Sequence, residues 1–434
     1  MTRDEIVALD KAHVWHPFTA MRVYLDEVDP LVVVRAEGSR LFDADGREYL
    51  DGNSSWWTAT LGHRHPRLLA AAARQLAALD HCALAGVAHE PAAALAAELC
   101  DAAPTGLERV FYTDNGSTAI EAAVKMCVQH WRLRGAPRKT RFVALEGAYH
   151  GDTIGAASLG GVEIFRRPFA GVLFECIHAE FPGAFDAMRA ILERGHDTIA
   201  AVVVEPVLQG AAGMRTYAPS YLTELRALCD RVGVLLVHDE VFAGYGRTGP
   251  MWAAEHAGVS PDLMCLGKAF AQFLPMGAVL VSERVFETFA EDRDTAFHYG
   301  HTFCGNPLGA AVAREVLAVY KEEDVLGQVA AKAPRVARAM ERVGKLRGVE
   351  RVRSIGLVGA ADLGAETSAQ ESLEESGYLG TAGWRVYAEA RARGAYLRPL
   401  GDTVYVCPPL TIDERDLERL LAIFEESIAA ARRA

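Results

Sequence analysis

The chain has no uninterrupted apolar run of about 18 residues, so nothing in it signals a membrane-spanning helix. Positive charge is in short supply: 45 Lys and Arg stand against 57 Asp and Glu, a net charge of −12. A nucleic-acid footprint needs a basic face, and this balance counts against one. No two of the eight cysteines form a CxxC pair. Spread from Cys82 to Cys407, they read as small core residues in a reducing, cytoplasmic setting, not as a disulfide frame or a zinc site. His63 and His65 in "GHRHP" have no Cys, His or carboxylate cluster beside them, so no metal site is expected. The opening "MTRDEIVALDKAH" mixes charges and lacks the apolar centre of a signal peptide.

What is present is an ordinary globular composition, half apolar and 24% charged. A length of 434 residues exceeds one small core and predicts two lobes. Residues 1–64 hold short strand-like pieces, with a "DADG" turn between β-rich runs. From 65 to 310, near-continuous Val, Leu and Ile runs alternate with helical stretches. That pattern predicts an α/β domain with a mostly parallel sheet flanked by helices. One such helix, "LLAAAARQLAAL", places Leu68, Leu69, Ala72, Leu76 and Leu79 on an apolar face. Residues 311–434 change to helices followed by short strands and read as a smaller α+β lobe.

Ligands of open α/β sheets bind outside the carboxyl ends of the strands, and several unusual residues fall at such ends. Gly116 and Ser117 open a helix after the strand "RVFYT", a place where free N–H groups and the helix dipole favour a phosphate. An ordinary capped helix would look the same. Neither GxGxxG nor GxxxxGK[ST] opens it, which counts against a dinucleotide or ATP reading. Tyr149 and His150 sit between glycines in "GAYHGD", where an aromatic face could stack on a flat ring, or simply lie on a loop. Glu205 ends a strand of valines, as a site acid or a solvated one. Asp239 and Glu240 end another buried strand; a carboxylate there would keep a ring nitrogen protonated. Lys268 follows "LMCLG". A lysine in that place is either a solvated strand end or a desolvated amine able to form a Schiff base with an aldehyde. Each signal alone is weak, and together they point to pyridoxal 5′-phosphate.

In order along the chain, "GSTAIEAAVKM", "YHGDTIGA", "VVEPVLQGAAGM", "HDEVFAGYGRTG", "CLGKA" and "HTFCGNPLGAA" resemble the class III (omega) aminotransferases of fold type I. The resemblance spans nearly the whole chain. "VWHPFTAM", "DGNSSWWTATLGH" and "LRPLGDTVYVCPPL" are similar to the branch that converts 8-amino-7-oxononanoate to 7,8-diaminononanoate in biotin synthesis, usually with S-adenosylmethionine as amino donor. The resemblance implies that Lys268 carries the cofactor and shuttles the proton. Asp239 pairs with its ring nitrogen, with Glu205 nearby, Tyr149 and Val241 flank the ring, and Gly116 and Ser117 hold its phosphate. It implies further that Trp56, Trp57 and Phe18 wall the substrate pocket, that Arg398 takes a substrate carboxylate with Tyr405 alongside, and that Gly300, His301 and Thr302 serve the neighbouring subunit's site in a homodimer.

Three departures stand out. Phe18 occupies a position where tyrosine is usual. "GKAFAQFLPMG" lacks the usual Thr-Gly-Gly after the lysine. "GHTF" and "RPLGD" look like a subgroup that uses lysine as donor, whereas "SSWW" looks like the S-adenosylmethionine group. The rival readings are a different omega-amino acid aminotransferase, a nucleotide-dependent dehydrogenase from another class, and a non-catalytic pyridoxal-phosphate-binding protein.

Overall fold

The computed structural model describes residues 1–181, 185–364 and 380–432. Three strands, β1 (Val33–Glu37), β2 (Arg40–Asp43) and β3 (Glu48–Asp51), form an antiparallel meander. The "DADG" turn joins β2 to β3, with Gly46 at φ 80. Ten further strands follow: β4 (Leu107–Thr113), β5 (Arg141–Leu145), β6 (Cys176–Ala179), β7 (Ile199–Val204), β8 (Leu208–Gln209), β9 (Arg215–Thr216), β10 (Leu235–Asp239), β11 (Leu263–Leu266), β12 (Gly277–Ser282) and β13 (Val349–Ile355). The last three are β14 (Val358–Leu363), β15 (Ala395–Tyr396) and β16 (Thr403–Val406).

Seven strands build the central sheet in the order β4-β12-β11-β10-β7-β5-β6. All pairings are parallel except those of β12, which runs antiparallel to both β11 and β4. Both faces are covered, which explains why these strands read as unbroken apolar runs. On one face Val203, Leu235, Val237 and Cys265 pack with Ile120, Val124 and Cys127 of the helix Gly116–Leu133. On the other, Val202, Val204 and Leu236 pack with Leu222, Leu225 and Leu228 of the helix Pro219–Val232. Strand alternation therefore sends Asp239, in step with Leu235 and Val237, toward the helix that opens at Gly116.

The C-terminal strands form a separate antiparallel sheet, β13-β14-β16. β15 instead pairs in parallel with β3, so a strand near residue 395 extends the N-terminal meander. The helix Pro307–Glu322 crosses the expected boundary at 310 and packs on the helices Pro66–Ala78 and Glu90–Ala102. In Pro66–Ala78 only Leu68 and Ala71 are buried; Leu69 and Leu76 are exposed. The apolar stripe is thus wider than the strip the chain itself covers. All eight cysteines are free, and four of them (Cys127, Cys229, Cys265 and Cys407) are buried. Among the described residues no helix is long and apolar enough to cross a membrane.

Candidate active site

Five parallel strands deliver side chains to one edge of the sheet. Gly116 and Ser117 follow β4, Tyr149 follows β5, Glu205 follows β7, Asp239 ends β10 and Lys268 follows β11. They converge on a cavity of about 730 Å³, which Trp57, Val241 and Phe242 also line.

The helix Gly116–Leu133 starts where Asn115 caps it. Asn115 Oδ1 accepts from Thr118 N at 3.0 Å, and the Asn115 carbonyl takes Ala119 N at 3.0 Å. That leaves the first two N–H groups, those of Gly116 and Ser117, for an anion. The close packing here requires glycine. A Cβ on Gly116 would come within 2.6 Å of Val241 Cγ1, and one on Gly267 within 3.1 Å of the Gly116 backbone. The loops carrying Lys268 and the helix start are therefore in contact, with Val241 wedged against both.

Asp239 is buried, and its Oδ2 lies 2.7 Å from His150 Nδ1. Burial alone would lower the imidazole's pKa. The hydrogen bond to Asp239, that residue's charge and Glu205 outweigh burial, so the pKa is raised. His150 Nε2 is buried without a partner. Glu205 accepts from Tyr149 N at 3.1 Å and Gly210 N at 2.9 Å. Its pKa is pushed up to about 7 by burial, with His150 opposing and Asp239 adding to the rise. Burial pushes the Lys268 amine below the ordinary lysine value, against the pull of Asp239 and Glu205. Lys268 Nζ sits 5.2 Å from the Trp57 ring centre. Glu240 faces elsewhere: its carboxylate caps Ala253 N (2.9 Å) and Ala254 N (2.8 Å).

Ser54, Ser55, Trp56 and Trp57 have φ of 47°, 44°, 61° and 74°, one turn of left-handed helix. Such a conformation costs roughly 1–2 kcal/mol per residue. Contacts from the C-terminal segment hold it. Ser54 Oγ donates to the Cys407 carbonyl at 2.7 Å, and Trp57 Nε1 donates to the Tyr405 hydroxyl at 3.0 Å. Trp57 is buried and packs at a tilt against Phe242, ring centres 4.4 Å apart. Trp56 is 39% exposed and lies under the Arg398 guanidinium at 4.9 Å. No carboxylate pairs with Arg398 among the described residues. Asn53 Oδ1 accepts from Arg398 N at 2.6 Å and fixes its backbone. Phe18, at φ 52, packs edge-on to Trp56 (5.6 Å) and Phe165 (5.5 Å), and Phe165 meets Tyr149 at 5.8 Å.

Seven expected residues do not line this cavity: Phe18, Trp56, Arg398 and Tyr405, placed as just described, and Gly300, His301 and Thr302. Thr302 is exposed, Gly300 faces open space, and His301 lies against Tyr299 (2.9 Å) and Asp114 (3.4 Å). His63 bonds Asp51 and His65 lies against Glu323, and no described group of three or more His, Cys, Asp or Glu could hold a metal ion. The stretch Gly244–Gly249 has GxGxxG spacing, but it runs through turns into the short 3₁₀ helix Ala253–Ala257, so the dinucleotide geometry is absent. The sequence reading passed over Phe165, Phe242 and Asn53, none of which carries a local signal; His150 it noted beside Tyr149 between glycines, without the tie to Asp239.

A cradle of helix N–H groups, a buried acid and a desolvated lysine at one sheet edge define a pyridoxal-phosphate enzyme of the aminotransferase kind. Residues 23–428 match the family described as Aminotransferase class-III, and the chain belongs to that family. Its members depend on pyridoxal 5′-phosphate. Among relatives, the adenosylmethionine-8-amino-7-oxononanoate aminotransferase of Geobacter sulfurreducens is 38% identical over 96% of each chain. That of Nitratidesulfovibrio vulgaris is 41% identical over 98% of this chain and 81% of its own. The solved structure of the Methanocaldococcus jannaschii enzyme of the same name superposes with a TM-score of 0.94, at 31% identity over 99% of both chains. An omega transaminase of Pseudomonas jessenii in complex with PMP gives 0.91 at 29% identity, over 99% of this chain and 98% of that one.

Proposed function

We propose that this protein transfers an amino group to 8-amino-7-oxononanoate, giving 7,8-diaminononanoate in biotin synthesis, with S-adenosylmethionine as donor. The observation that carries the reading is Arg398, a guanidinium seated over Trp56 and without a carboxylate partner among the described residues. A long keto acid needs both features: a bidentate cation for its carboxylate and an apolar wall for its chain. Trp56, Trp57 and Phe18 supply the wall, and Tyr405 holds Trp57 in place. The relatives' names support the same substrate.

Pyridoxal phosphate supplies an electron sink for the carbon that loses its proton. Gly116 and Ser117 would hold its phosphate, Val241 and Tyr149 its ring, and Asp239, backed by His150 and near Glu205, the charge on its nitrogen. The Lys268 amine, kept from its full basicity by burial, moves the proton. An aromatic wall also suits the donor's sulfonium, at about 0.5–2 kcal/mol for a cation–π contact.

The reading includes a homodimer in which Gly300, His301 and Thr302 complete the partner's site. The exposure of Thr302, and of Phe303 beside it, supports this. It divides the chain into a large domain, 65–310, and a small one from 1–64 and 311–434; the β3 to β15 pairing supports that division. Eight free cysteines support a cytoplasmic setting.

The test is a donor screen on the purified enzyme with 8-amino-7-oxononanoate, following diaminononanoate. S-adenosylmethionine is expected to support the reaction. Product from lysine with none from saturating S-adenosylmethionine would reverse the donor assignment. No product from any donor, with turnover of another omega-amino acid, would remove the substrate assignment.

A further inference from the structure

The loop after Lys268 carries Gln272 where glycine is expected. Gln272 has φ 54, in the left-handed region that favours glycine, yet it is buried and lines the cavity around Lys268. Both ends of its amide are engaged. Gln272 Nε2 donates to Thr60 Oγ1 at 2.6 Å and lies 3.3 Å from the Ala269 carbonyl, while Oε1 accepts from Leu61 N at 3.4 Å. Thr60 Oγ1 is 3.0 Å from the Tyr320 hydroxyl, which is 2.8 Å from the Tyr245 carbonyl. Thr60, Gln272 and Tyr320 are all buried, so each hydroxyl hydrogen needs a protein acceptor. An amide nitrogen only donates and a carbonyl only accepts. Those fixed ends leave one assignment that uses every hydrogen: Gln272 donates to Thr60, Thr60 to Tyr320, and Tyr320 to the Tyr245 carbonyl.

We propose that Gln272 is a positioning residue that, through this one-way chain, locks the loop carrying Lys268 to the segment following Trp56 and Trp57. Thr60 lies three residues beyond Trp57, and its carbonyl also accepts from Leu410 N at 2.6 Å, which ties in the C-terminal segment. Tyr245, Lys268 and Gln272 all have left-handed backbones, and such residues persist where their surroundings over-determine them. A single buried chain thus sets the distance between the amine that moves the proton and the wall that receives the acceptor. The inference rests on the roles proposed above for Lys268 and the tryptophan pair.

The test uses the pyridoxal-phosphate-loaded enzyme and three variants. Gln272→Met keeps the volume without the hydrogen bonds. Gln272→Gly suits the backbone and folds even where the methionine variant does not. Tyr320→Phe breaks the far end, at a residue that lines no part of the Lys268 cavity. Each is expected to raise KM for the keto acceptor by at least about threefold, and more than it lowers kcat. The Gln272→Met, Tyr320→Phe double variant is expected to be no worse than the more damaged single, since one chain has been broken twice. A smaller rise in KM for Gln272→Gly, or additive effects in the double, overturns the proposal. Failure of the substrate assignment looks different, because the wild type then leaves 8-amino-7-oxononanoate unaminated. In that case the pH midpoint of the bound cofactor's visible band, which needs no substrate, decides. A change of at least about threefold in its acid dissociation constant in Gln272→Gly upholds the role of Gln272, and a smaller one ends it.

Discussion

At Glu205 the fold buries a carboxyl whose pKa rises from 4.5 to about 7. Such a group binds its proton more tightly folded than unfolded, so its penalty is absent below pH 4.5 and grows until about pH 7. His150 slopes the same way, because its raised pKa gives stability that fades as pH climbs through it. In the cofactor-free protein these two groups therefore favour pH 5 over pH 8, against the buried His130 and His238, whose lowered pKa values slope the other way, and Glu205 contributes its own share to the pH 5 to pH 8 difference. Glu205→Gln should remove up to roughly 3 kcal/mol of that difference. Differential scanning calorimetry of both proteins across that range checks it, and an equal slope in the variant would assign the effect elsewhere. At Lys268, alanine substitution should abolish turnover while circular dichroism stays native, since the amine makes no hydrogen bond to the described residues that would hold the fold. Asp239→Asn should lower kcat by more than tenfold, about 1.36 kcal/mol. An amide cannot hold a ring-nitrogen charge, and it gives His150 a weaker partner. Steady-state rates within twofold of wild type would take Asp239 away from the ring nitrogen.

Among the elements, the turn Ser54–Trp57 depends most on its neighbours. Four left-handed residues in a row are stable only while β16 and the residues after it grip them. Tyr405→Phe deletes one grip and leaves the Trp57 N–H buried without an acceptor. The expected cost is about 1–3 kcal/mol of stability, read by urea unfolding. The acceptor's KM should rise with it, because Trp57 lines the cavity. None of this geometry is visible in "NSSWW" as letters, where nothing forces a positive φ. By contrast, the helix opening at Gly116 was legible, because Asn115 and Thr118 form a local capping pair and Ile120, Val124 and Cys127 fall on one face. The helix at Pro66 shows the limit of such reading: periodicity placed Leu69 and Leu76 on the apolar stripe, and the folded chain leaves both uncovered.

For the whole molecule, the same contrast bears on assembly. Thr302 lies outside its own chain's cavity, so the proposed shared site predicts complementation. Lys268→Ala and Thr302→Ala proteins, each inactive or nearly so, are unfolded, mixed in equal amounts and refolded together. Random pairing should restore about a quarter of wild-type activity, because half of the dimers carry one intact site of two. An activity equal to the sum of the two variants would show that each chain completes its own site. What the sequence by itself determined were features written in neighbouring residues: the buried strands, the capped helix and the strand-end positions of Glu205, Asp239 and Lys268. Local sterics and hydrophobic periodicity act over a few residues, so they can be read along the chain. The tertiary structure alone decided the His150–Asp239 pair, 89 residues apart, the seating of Arg398 over Trp56, and the chain from Gln272 to Tyr245. Those depend on which distant segments the sheet order brings together, and it is the enclosure they create that shifts the Lys268 and Glu205 pKa values.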